Sequence, residues 1–180
     1  MSGSTTLTID ASQGTKSGDN YVFNVTGFNT TNGNTIQIVN DTGNPNADVV
    51  FNFTSSANFN NQIALVGFSA DQVLYNFVGG SDLSGGPTLQ INDNASSSPN
   101  NVVQGIFLDP NGPISVTNAN VIGGVFGGDT HDFQYVSGST ITTPAVTSVP
   151  APPTVVLLGI GGLVLAVYRA CSRGQLRTAA

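Results

Sequence analysis

The chain has no Trp and no Glu, one Cys, one His and, among 180 residues, only four that are basic. Each scarcity removes a class of function. All ten acidic residues are Asp, and Lys16 is the sole basic residue before Arg169. Residues 1–150 therefore carry ten Asp against one Lys, a formal charge of −9. A body this acidic repels phosphate backbones, which excludes nucleic acid as a partner. The one thiol, Cys171, lies close to the C-terminus, so the body has no disulfide and no thiol chemistry. Lipidation of Cys171 is the functional alternative to a small apolar residue without a role. With Glu absent and Lys and Arg nearly so, the charged helix formers are missing and a helical body is disfavoured.

Asn, Gly, Ser and Thr are abundant instead, and they suit strands and turns. Short runs alternate with period two: Tyr21, Phe23 and Val25; Ile36 and Ile38; Val49, Phe51 and Phe53; Val73, Tyr75 and Phe77; Leu89 and Ile91. Such alternation predicts half-buried strands. Turn-forming clusters such as TTNGN, NDTGNPN and DPNGP separate them. The stretch SSANFNNQIALVGF leaves room for one short helix. NVVQGIF (101–107) and NVIGGVF (120–126) share a pattern at an offset of 19, and the same offset sets Ile114 and Val116 against Phe133 and Tyr135. No such repeat shows upstream of residue 100. A period near 20 with glycine corners predicts an all-β fold, a short right-handed β-helix or solenoid, with a β-sandwich as the alternative. The β-rich domain is expected over 1–143, with repeat-like strands within 101–138.

The C-terminus is of another kind. A Pro-rich linker (144–153) leads into a fifteen-residue uncharged run, Thr154 to Tyr168, and then a basic tail (169–180). As a helix the run would span about 22 Å, against about 30 Å of bilayer hydrocarbon. Gly159, Gly161 and Gly162 are tolerated in membranes, Tyr168 suits the interface, and Arg169, Arg173 and Arg177 follow as a stop-transfer cluster. The expectation is a C-terminal transmembrane helix with the body outside and the tail cytoplasmic. MSGSTTLTID has no charged n-region and no apolar h-region, so an exported chain would need a leader ahead of it.

VPAPPTVVLLGIGGLVLAVYRACSR resembles a PEP-CTERM sorting signal. Val149, Pro150 and Pro152 match its Val-Pro-Glu-Pro motif, and Ala151 stands where the family has Glu. The resemblance implies export, a membrane partner and processing by an exosortase-type enzyme in bacteria that make extracellular polysaccharide. VLYNF (73–77), GIFLDPNGPISVTNANVIGGVFGG (105–128) and DTHDFQYVSGSTI (129–141) resemble the choice-of-anchor A domain, whose members are β-rich and carry varied surface anchors. Asp109-Pro110-Asn111 stands where that family has Ala-Pro-Asn.

Catalytic or metal chemistry finds little support. His131, near Asp129 and Asp132, could join a metal or acid–base site, but a lone His in a glycine turn is simpler. Asp41, Asp48, Asp82, Asp93 and Asp109 fall in turns, where Asp is favoured for its own sake. Sequons at Asn24, Asn29, Asn40, Asn52 and Asn94 reflect Asn and Thr richness. No cofactor is implied. The expected function is an exported, membrane-anchored surface or matrix protein with a non-catalytic adhesive β domain that contacts extracellular polysaccharide. The alternatives are a polysaccharide-acting enzyme, which needs two converging carboxylates, and an ice- or surface-binding protein, which needs a flat Thr array.

Overall fold

A computed structural model describes residues 6–29, 34–79, 86–92, 102–127, 132–136 and 138–144. The chain runs in circuits. The first contains β1 (Thr6–Asp10), β2 (Thr15–Ser17), β3 (Asn20–Val25) and β4 (Phe28–Asn29). The second contains β5 (Thr35–Val39), β6 (Asp48–Phe53) and β7 (Ala57–Phe59), and the third β8 (Gln62–Val66), β9 (Val73–Phe77) and β10 (Leu89–Asn92). Shorter circuits follow: β11 (Val102–Asp109) with β12 (Ile114–Thr117), then β13 (Asn120–Gly127) with β14 (Phe133–Tyr135), and finally β15 (Thr140–Thr142).

Successive circuits stack into three sheets. One has the order β1-β5-β8, a second β14-β12-β10-β7-β4, and a third β15-β13-β11-β9-β6-β3-β2. Among the described residues every pair is parallel except β2 with β3. A hairpin-linked sandwich would be antiparallel, so that alternative is not what forms.

The alternation expected from sequence sets the faces. Ile36, Ile38, Val49, Phe51, Phe53, Val73, Tyr75, Phe77, Leu89 and Ile91 are all buried between the sheets. Rings stack up the inner face of the seven-stranded sheet. Phe23 pairs with Phe51, Phe51 with Tyr75 and Tyr75 with Phe107, at centroid distances of 5.0, 5.5 and 4.5 Å. Each such pair adds about 0.5–1.5 kcal/mol beyond its area burial.

Four expectations are corrected. First, the sheets do not close into the expected solenoid. Among the described residues the three-stranded sheet ends at β8, while the others carry five and seven strands. Residues 93–101, between β10 and β11, lie outside the described residues; from β11 on, the cause is the length of the circuits. Thr6 pairs with Thr35 and Thr35 with Gln62, steps of 29 and 27 residues, whereas Val103 pairs with Val121, a step of 18. Eighteen residues visit two sheets and their corners but cannot supply a strand to the third. The long β11 instead lies against β8 and the 3-10 turn at Ala70–Gln72.

Second, β11 and β13 are not aligned as their sequences suggest. Phe107 faces Val125, not Phe126. A one-residue slip in a strand exchanges its two faces. Val121 and Gly123 therefore join Val103, Gly105 and Phe107 inside, while Phe126 is 56% exposed. The glycines fix this register. Gly105 and Gly123 are partners with φ of +132° and +139°, and a Cβ on Gly123 would lie 1.9 Å from the Gly105 carbonyl oxygen. The β12–β14 register, Ile114 with Phe133 and Val116 with Tyr135, agrees with the offset of 19.

Third, SSANFNNQIALVGF holds strands β7 and β8, not a helix; Ala57, Phe59, Asn61 and Ile63 alternate into the core. Fourth, the transmembrane helix is not found: no helix of the described residues is long and apolar enough to cross a membrane. Their only helical pieces, Ala11–Gln13 and Ala70–Gln72, are three-residue 3-10 turns. Each spans about 6 Å, against the roughly 30 Å required. The run 154–168 itself lies outside the described residues.

Candidate functional site

Among the described residues, the outward positions within the strands of the five-stranded sheet carry no charge; the exposed Asp132 stands just before β14. The strands point Ala57, Phe59, Leu89, Ile91, Ile114 and Val116 inward, so the alternate residues face out. Asn58 pairs with Gln90, Gln90 with Ser115, and Ser115 with Gln134. One column of amides and a hydroxyl thus crosses four strands, at intervals of about 4.8 Å. A second column holds Asn92 beside Thr117. Ser56 and Thr88 lie at the strand starts, and the Thr88 N–H donates to Ser56 Oγ at 2.8 Å. Ser56, Asn58, Thr88 and Gln90, with Phe28 and Ala57, line a groove of about 550 Å³.

This arrangement offers donors and acceptors with no fixed charge. Amides and hydroxyls do both at once, so the face can meet a hydroxyl-rich ligand in several registers. A second cavity, of about 420 Å³, is apolar and lies among the aromatic rings of the first circuits, with Asn24, Thr26 and Gly27 also in its lining. Among the described residues neither cavity is lined by a carboxylate.

The acids have local tasks. Asp109 is fully buried, and its Oδ1 accepts the Gly112 N–H at 2.9 Å, which holds the DPNGP turn that feeds β12. Asp41 accepts bonds from the backbone N–H and the hydroxyl of Ser12, and these hold its carboxyl below the usual carboxylate range. Asp48 is shifted the other way: burial raises it first, and the charges of Asp71 and Asp19 add to the rise. Burial also pushes the Tyr75 phenol far above its ordinary value; its hydroxyl donates to the Gln104 carbonyl at 3.2 Å. Among the described residues no three His, Cys, Asp or Glu come together as a metal site. Asp82, Asp93, Asp129 and His131 lie outside those residues, while Asp132 is exposed.

The residues singled out in the tail all lie outside the described residues as well. They are Val149, Pro150, Ala151 and Pro152 of the sorting motif; Thr154, Gly159, Gly161, Gly162 and Tyr168 of the apolar run; and Arg169, Arg173 and Arg177 behind it. Sequence reasoning did not find the column Asn58, Gln90, Ser115 and Gln134. Its members alternate with core residues, but their steps of 32, 25 and 19 follow no common period.

The family model described as "Putative Ice-binding-like adhesive domain" matches residues 2–142. The chain belongs to this family. The adhesive domain thus takes in every strand of the three sheets. An adhesive family speaks for a non-enzymatic role. No curated protein and no solved structure matches the chain. The resemblances to the PEP-CTERM signal and the choice-of-anchor A domain have no counterpart in these comparisons.

Proposed function

We propose that this adhesive domain belongs to an exported surface protein and that it contacts neutral extracellular polysaccharide through the outer face of its five-stranded sheet. The observation that carries the ligand is the uncharged column Asn58, Gln90, Ser115 and Gln134 on an otherwise acidic body. Sugar hydroxyls are donors and acceptors like the amides, and a repeating polymer can follow a repeating column. Export rests on composition and on the tail. The motif at Val149–Pro152, the apolar run and Arg169, Arg173 and Arg177 are read as a sorting signal that retains the protein at the envelope membrane, with an exosortase-type enzyme as its processing partner.

Ice binding is the second reading, and the family description favours it. Thr6 does face Thr35 on the outer side of the three-stranded sheet, but Gln62 comes next in that column. Two threonines do not make the extended array that ice contact requires.

The test is retention of the purified chain on dextran, on alginate and in an ice-recrystallisation assay. Binding to neutral dextran is expected, with weaker binding to anionic alginate that improves as salt screens the repulsion. Inhibition of recrystallisation without dextran binding would replace this reading by the second.

A further inference from the structure

The seven-stranded sheet has an outer face of different chemistry. Val22, Val50, Leu74 and Ile106 form one outward column, in register across β3, β6, β9 and β11. The neighbouring column is Asn24, Asn52 and Asn76, continued by Leu108 and Phe126. Its amides join side to side: Asn76 Nδ2 donates to Asn52 Oδ1 at 3.0 Å, and Asn52 Nδ2 to Asn24 Oδ1 at 3.4 Å. Phe126 is 56% exposed, and its ring lies against Gly124, where a Cβ would meet Phe126 Cε2 at 2.5 Å. The result is an apolar surface bordered by amides. An exposed apolar patch with a polar rim marks an interaction surface.

We propose that this face binds a second copy of the same chain, sheet against sheet. Three features favour a copy over another partner. The rim is self-complementary, because an amide pairs with an amide, so a two-fold contact satisfies both sides. Among the described residues, Asp48 is the only ionisable side chain on the outward strand positions, and it stands at the end of the face where β6 begins, so the apolar columns of two acidic bodies can meet without a charge between them. The area also fits. Seven strands at about 4.8 Å and some five residues at about 3.3 Å give a face near 500 Å². Two copies would bury about 1,000 Å² together, the lower limit for a specific association. Pairing is therefore weak for free molecules and effective for many copies on facing surfaces, where avidity multiplies it. Aligned sheets would pack about 10 Å apart. This inference does not need the polysaccharide reading, which concerns another sheet.

Sedimentation equilibrium of the full chain, from micromolar to millimolar, tests it. A reversible monomer–dimer equilibrium is expected. Phe126→Asp should raise the dissociation constant at least tenfold, and Leu108→Thr severalfold, with the thermal midpoint of the exposed Phe126 variant unchanged. A chain that stays monomeric at millimolar concentration overturns the proposal. Association that survives Phe126→Asp, as contact through the tail would, overturns it equally. Loss of dextran binding with dimerisation intact would refute only the polysaccharide reading.

Discussion

The ring of Tyr75 occupies the space that a side chain at Gly105 would need. A Cβ there would lie 2.4 Å from Tyr75 Cε2, and the φ of +132° is one that other residues avoid. Tyr75 can then stack on Phe107 and reach the Gln104 carbonyl. Gly105→Ala is expected to cost about 2–4 kcal/mol, since overpacking and backbone strain add. Gly27→Ala, with open space around it, should change stability by less than about 0.5 kcal/mol. Urea unfolding of the pair checks this; equal midpoints would contradict the assigned register.

Phe107 closes the ring stack and is fully buried. Phe107→Ala should cost about 3–5 kcal/mol. Phe126→Ala, one residue from the partner of Phe107, should cost under about 1 kcal/mol because the ring is exposed. If the two losses were equal, the step between β11 and β13 would be 19, not 18.

That contrast marks how much of the fold was legible. Alternation reveals strands because a pleat exposes every second residue, and Tyr21, Val49, Val73 and Leu89 all face inward as their runs predict. Register is harder to read. Upstream steps of 29, 28, 24 and 32 residues leave no fixed period, although the strands stack as regularly there as downstream. Where a period did show, similar residues misaligned β11 with β13, because the glycine pair rather than the phenylalanines decides the fit. The candidate face was hidden for the same reason: Asn58, Gln90, Ser115 and Gln134 become a column only once register is known.

Asp41 and Asp48 should respond to pH with opposite sign. The Asp41 carboxyl is held below its ordinary value of 3.8 by the Ser12 bonds, so its stabilisation is present above that value. It is lost as pH falls through the lower folded value. The Asp48 carboxyl is held above 3.8, so it binds its proton more tightly folded than unfolded. Its charged form weakens the fold above the raised value, and the penalty vanishes below 3.8. Asp41→Asn should therefore lower the melting temperature at pH 7, and Asp48→Asn should raise it. Near pH 3 the Asp48→Asn gain should disappear. Melting curves at both pH values decide the matter, and a stabilised Asp41→Asn at pH 7 would show that the Ser12 contact is not made in solution.

Gln90 is the most direct probe of the polysaccharide face. It stands between Asn58 and Ser115 in the outward column, is exposed, and lines the groove. Removing its amide leaves the core residues Leu89 and Ile91 untouched, so folding should be preserved. One lost hydrogen bond, worth about 0.5–1.5 kcal/mol, corresponds to roughly a 2- to 12-fold loss of affinity per site. Gln90→Ala is therefore expected to weaken retention on dextran severalfold. Gln37→Ala, on the outer side of the three-stranded sheet between Thr8 and Ala64, should leave retention unchanged. A loss with both variants would mean that general surface polarity, not this column, holds the polymer; a loss with Gln37→Ala alone would move the adhesive face to the three-stranded sheet and its Thr6–Thr35 pair.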